Sequence, residues 1–77
     1  MIQRYVSAEG LKADDFGVPF TMRTGERVYD ARTLNGQWAT MTHSSWLDWR
    51  AMPRLGTGYG QRYIRQANGE LHKEAGK

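Results

Sequence analysis

The chain contains no cysteine. That excludes disulfides and any thiolate metal site, a tetrathiolate zinc centre included. Histidine is nearly as scarce: His43 and His72 are the only two, too few for structural zinc unless carboxylates complete the set. No apolar run approaches the roughly 20 residues that a membrane-spanning helix needs. The opening stretch MIQRYVSAEGLKADD lacks an apolar h-region and carries acids, so it does not read as a signal peptide. The expected compartment is the cytoplasm, with no membrane partner. A net charge of +3 is too mild to argue for nucleic acid by itself.

Seventy-seven residues make one domain, 1–77, close to the lower size limit for folding on a core alone. With metal–thiolate and disulfide staples excluded, aromatic packing is the remaining device. The nine Phe, Trp and Tyr residues each bring roughly 150–250 Å² to bury. All three tryptophans, Trp38, Trp46 and Trp49, fall between Tyr29 and Tyr63, so the core is expected there.

Along the chain, residues 1–12 show a short apolar alternation at Ile2, Tyr5 and Val6 and read as a loosely held extended segment. Asp14, Asp15, Gly17 and Pro19 mark a turn. Val18, Phe20 and Met22 then alternate with polar positions, which predicts a half-buried strand over 18–24. Thr24-Gly25-Glu26 is a turn, and Arg27–Asp30 completes a predicted first hairpin. Asn35-Gly36 is a turn signal, followed by a strand over Gln37–Met41. Thr42 has the character of a helix N-cap, and Trp46, Leu47 and Arg50 recur at helical spacing, giving a helix over about 43–51. Pro53 disfavours helix in the residue before it. After the glycine-rich RLGTGYG, Gln61–Gln66 is a further strand. Asn68-Gly69 either turns it into a hairpin returning through Glu70–Lys73, or the chain frays after Gln66; Ala75-Gly76-Lys77 reads as a mobile tail.

YDARTLNGQWATM and LGTGYGQRY resemble a family of small phage- and prophage-encoded proteins of unknown function. Members carry a stretch like YDGKTxxGPWAxMCxxC, a short helix, then GxGLGTGxGQ. The matching residues are Tyr29, Asp30, Thr33, Gly36, Trp38, Ala39, Met41, Leu55, Gly56, Thr57, Gly58, Gly60 and Gln61, with Gln37 in place of proline. The resemblance covers roughly residues 13–63 and implies a zinc-ribbon-like layout with two CxxC knuckles and a bacterial host. The ligand positions fall on Ala13, Phe16, Thr42 and Ser45, so the family's metal site is vacated. Phe16 would then plug the space, and Thr42 and Ser45 would serve as N-cap and N3 of the helix.

Arg50, Arg54, Arg62 and Arg65 succeed one another without an intervening acid, with Tyr59 and Tyr63 between them. Such interleaving suits a single-stranded nucleic-acid surface; the plainer alternative is a solvated face paired with Asp14, Asp15, Asp30 or Asp48. Gly56–Gly60 lacks P-loop spacing and reads as a tight turn beneath Trp38 or Trp46. His43 beside Ser44 and Ser45 does not make a catalytic pair, because catalytic groups converge from separate elements. The tryptophans read as core, except that Trp49 at the helix edge suits a binding anchor.

The expectation is therefore a small α+β domain of two β-hairpins and one short helix, with a zinc-ribbon-like layout lacking zinc. Functionally it is expected to be a non-enzymatic binding module without cofactor, contacting a host or phage protein. Nucleic-acid binding is the alternative. The candidate contact residues are Trp49, Arg50, Arg54, Tyr59, Arg62, Tyr63 and Arg65.

Overall fold

The computed structural model describes residues 12–76. The extended segment expected over residues 1–12 lies outside them except for Lys12, whose carbonyl accepts the Phe20 N–H at 2.9 Å. The fold is α+β. Strands β1 (Arg27–Arg32), β2 (Trp38–Thr42), β3 (Gly60–Arg65) and β4 (Leu71–Ala75) form one antiparallel sheet in the order β2-β1-β3-β4, and helix α1 (His43–Trp49) follows β2. Among the described residues no helix is long and apolar enough to cross a membrane.

Two hairpins, β1–β2 and β3–β4, dock side by side through β1 and β3. Their turns use the same chemistry. In each, the residue before the loop donates to the residue four later, Thr33 N–H to Gln37 O at 2.9 Å and Gln66 N–H to Glu70 O at 2.7 Å. In each, an Asn-Gly pair ends the loop with glycine at positive φ, +84° for Gly36 and +88° for Gly69. A left-handed residue here closes a three-residue hairpin loop without splaying the strands.

The alternation over 18–24 is not a strand. Three of its backbone donors, and that of Phe16 just before it, go to side chains: Phe16 and Val18 N–H to Asp14 Oδ1 at 2.9 Å each, Thr21 N–H to Glu26 Oε2 at 2.6 Å and Met22 N–H to Glu26 Oε1 at 3.0 Å. Met22 also sits at φ 66°, which breaks an extended run. Residues 12–25 instead form an irregular cover, and the first hairpin is β1–β2 rather than 18–24 with 27–30.

This cover buries Phe20 with Val28, Tyr63 and Leu71. On the opposite face, Tyr29, Ala31 and Met41 pack with Trp46, and Ala39 and Leu55 complete that cluster. The alternation within each strand thus feeds two small cores on the two faces of one sheet. Trp46 stacks on Tyr29 with centroids 4.5 Å apart and planes at 8°. Trp38, expected in the core, is 49% exposed, because it alternates away from that cluster at the end of β2.

Thr42 caps α1 as expected, its Oγ1 accepting the Ser45 N–H at 3.3 Å. The helix stops at Trp49 rather than near 51. Arg50 turns to φ −58°, ψ 141°, and the β1–β2 turn takes over the bonding: Leu34 N–H reaches Trp49 O and Ala51 N–H reaches Arg32 O. At the other end of the chain, Ala75 belongs to β4 and Gly76 packs against Gly60 and Gln61, so neither is a loose tail; Lys77 lies outside the described residues.

The glycine-rich segment meets β1 at Ala31, and its Leu55 packs against the cluster that holds Trp46. Gly60 pairs with Ala31 across β1–β3, and a Cβ on Gly60 would lie 2.3 Å from Ala31 Cβ and 2.6 Å from Ala31 Cα. At Gly58, φ is +84° but the surrounding space is open. Gly58→Ala is therefore expected to carry only local strain of about 1 kcal/mol. Gly60→Ala must also part β1 from β3, at about 1–3 kcal/mol beyond that strain. Urea titration of both variants measures the difference; equal losses would remove the seam argument.

Candidate interaction surface

Arg32, the last residue of β1, organises one end of the molecule. It stands opposite Trp38 in the β1–β2 register, its N–H donates to Tyr59 O at 2.9 Å, and its carbonyl accepts the Ala51 N–H at 2.9 Å. These bonds draw the β1–β2 turn, the end of α1 and the 54–59 loop together. Several apolar side chains remain exposed there: Leu34, Trp38, Trp49 and, from the cover, Phe16. Phe16 and Trp49 stack face to face, centroids 5.0 Å apart and planes at 7°. Phe16 is thus not an interior plug but half of a surface aromatic pair.

Guanidinium groups alternate with these rings. Arg54 lies over the Tyr59 ring at 4.5 Å and its Nη2 donates to Tyr59 Oη at 2.7 Å. Arg50 lies over the Trp46 ring at 4.7 Å. Among the described residues Arg32, Arg50 and Arg54 have no carboxylate partner. Cation–π contacts of this kind hold a flat, charged donor in place while leaving its edge available.

Four of the expected contact residues, Trp49, Arg50, Arg54 and Tyr59, meet at this end. The other three do not. Tyr63 is buried and its hydroxyl donates to Gln61 Oε1 at 2.7 Å. Arg65 is 1% exposed, with Nε on Glu26 Oε1 at 3.1 Å and Nη1 on Gly69 O at 3.3 Å. Arg62, on the helix-side face, pairs with Glu74. The continuous basic face read over 50–65 is therefore divided, because strand alternation sends Tyr63 and Arg65 under the cover while Arg62 takes the other face. The acids that offset the arginines are Glu26 and Glu74, not Asp14, Asp15, Asp30 or Asp48. Arg32, Leu34 and Trp38 belong to the surface without having been singled out by sequence; their one shared signal is flanking the Asn35-Gly36 turn.

Ala13, Phe16, Thr42 and Ser45, the ligand positions that the resemblance implies, fall in two segments that do meet. Asp14, between Ala13 and Phe16, accepts from Thr42 N–H and Thr42 Oγ1 at 2.9 Å each and from the Ser45 side chain. Burial alone would raise its pKa, but the bonds from Ser45, Thr42 and Val18 outweigh it and hold the carboxyl below 3.8. A carboxylate thus joins the loop to the helix start. Among the described residues no three His, Asp or Glu side chains converge on a metal-sized space. Comparisons with protein-family models, with curated proteins and with solved structures found no match.

Proposed function

We propose that this chain is a non-enzymatic binding module of phage or prophage type, acting in the bacterial cytoplasm, whose Arg32 end docks a protein segment bearing apolar and acidic side chains. The observation that carries this reading is the exposed Phe16–Trp49 stack beside Leu34, accompanied by arginines that have no carboxylate partner among the described residues. Tryptophan, tyrosine and arginine dominate interface energetics, and an aliphatic Leu34 at 65% exposure suits apolar side chains better than bases. The resemblance of residues 29–41 and 55–61 supports the phage association.

Quantitative capture from bacterial lysate tests it. Trp49→Ala is expected to weaken retention of one defined protein by at least about 30-fold, corresponding to 2 kcal/mol at a hot spot. Leu34→Ser should weaken the same protein, and Arg23→Gln, a substitution in the cover, should not. Identical retention by all three variants would sink the proposal.

A second reading, single-stranded nucleic acid, draws on the exposed Trp38 and Trp49 and the half-buried Tyr59, next to guanidinium groups that have no carboxylate partner among the described residues. Oligonucleotide binding that weakens with salt and is lost in Trp38→Ala would favour it over the protein reading.

A further inference from the structure

A second cluster lies at the start of the helix and shares only Arg50 with the surface above. Tyr29 is fully buried, yet its hydroxyl meets His43 Nδ1 at 2.8 Å. Arg62 stands directly opposite Tyr29 across β1–β3 and its guanidinium pairs with Glu74. Burial works against the Arg62 charge, but Tyr29 and Glu74 hold its pKa above the ordinary value.

Proton accounting then fixes the imidazole. The buried Tyr29 O–H needs an acceptor, and among the described residues the one at hydrogen-bond distance is His43 Nδ1, so the phenol proton points there. Burial, followed by Arg27, Arg62 and Arg50, holds the His43 pKa below 6.5, so the ring is neutral at pH 7. A neutral ring that accepts at Nδ1 keeps its proton on Nε2. His43 therefore offers Nε2–H as its remaining polar group.

Arg27 occupies the same sheet face as Tyr29, two residues earlier, and is diagonal to Arg62. It is exposed and has no carboxylate partner among the described residues. Arg50 adds a third positive charge within reach of His43. From β4 the facing groups are Glu74, held by Arg62, and His72, held by Glu70 at 2.9 Å. Of the three guanidinium groups, Arg62 is paired with Glu74, while Arg27 and Arg50 have no carboxylate partner among the described residues.

We propose that Arg27, Arg62 and the His43 Nε2–H form a binding site for a phosphate-type oxyanion on the helix-side face of the sheet. The chemistry matches: planar bidentate donors from two strands and a neutral N–H donor from the helix start. The ligand is either a free phosphate group or the phosphate of a nucleic-acid backbone. Binding also links to the imidazole, because an anion beside it favours the protonated ring.

The test is a titration of the full chain with inorganic phosphate, with chloride at matched ionic strength as control, read from the His43 ring nitrogens by NMR. Phosphate is expected to shift Nε2 and raise the His43 pKa, while chloride does neither. Arg27→Gln should weaken phosphate at least about tenfold, the loss of one charge-assisted hydrogen bond. Arg23→Gln should leave it unchanged. A His43 signal indifferent to phosphate, or equal weakening in both variants, would overturn the site. Displacement of bound phosphate by a single-stranded oligonucleotide assigns the source to a nucleic-acid backbone. Failure to displace assigns it to a free phosphate group.

Discussion

Arg65→Ala is expected to lower stability by about 3–5 kcal/mol, the usual consequence of breaking a buried ion pair from one side. In a domain of this size that corresponds to a fall in Tm of more than about 10 °C. The Arg65 side chain is 1% exposed and its partner Glu26 is 10% exposed, so truncation strands a carboxylate away from water. Glu26 has other duties: it accepts the Thr21 and Met22 N–H groups and so positions the cover. Arg65 Nη2 is buried without a hydrogen-bond partner, which means that the native pair is not fully compensated. The double variant Glu26→Gln, Arg65→Met is therefore expected to be more stable than Arg65→Met alone, since it removes the stranded charge. Thermal unfolding of the cycle decides this. A shift below about 4 °C in Arg65→Ala, under 1 kcal/mol by the same scaling, would show that the pair holds nothing.

Asp14→Asn is expected to cost about 2–4 kcal/mol at pH 7, from losing several hydrogen bonds to one charged acceptor worth roughly 1.5–3 kcal/mol each and not additive. The effect depends on pH. The native carboxyl lies below 3.8, the net result of burial opposed and outweighed by the Ser45, Thr42 and Val18 bonds. A carboxyl with a lower native than unfolded pKa stabilises fully above the unfolded value, and that contribution fades as pH falls through the native one. Glu26 behaves alike: burial is outweighed by Thr21, Arg65 and Met22, and its pKa lies below 4.5. Asp30 has the opposite sign, raised above 3.8 by burial and by Asp15, so ionising it costs stability and acid relieves it. The lowered carboxyls of Asp14 and Glu26 against the one raised carboxyl in β1 predict a net acid loss beginning near pH 4. Urea unfolding of wild type and Asp14→Asn at neutral pH and near pH 3 should show the gap narrowing in acid. A gap that stays constant would mean that Asp14 acts through shape and not charge.

Local chemistry was legible in the sequence. Asn35-Gly36 and Asn68-Gly69 specify their turns through backbone conformations that their own residues favour, and Thr42 specifies a helix start through its own hydroxyl. Pairings set by distant residues were not legible. The strand-like pattern over 18–24 fails because Asp14 and Glu26 capture its donors. Arg65 looks like a surface arginine until Glu26, 39 residues away, is placed beside it. Trp38 and Trp46 are the same residue type eight positions apart, yet only Trp46 faces the layer where Tyr29 and Met41 are packed. The candidate surface shows the same division: Trp49, Arg50, Arg54 and Tyr59 stand out as residue types, whereas Arg32 gains its place only from the bonds that gather three loops around it.

The contact between the cover and β2 has a consequence for self-association. β2 is an outer strand of the sheet, and an open edge templates pairing with another chain. Here Thr40 N–H is taken by Asp15 Oδ2 at 2.7 Å, Thr40 O by Asp15 N–H at 3.0 Å, and Thr42 N–H by Asp14 Oδ2 at 2.9 Å. Two carboxylates occupy the edge that a neighbouring copy would otherwise extend. The chain can therefore expose Leu34, Trp38 and Trp49 beside that edge without offering β2 as a strand for a second molecule to continue.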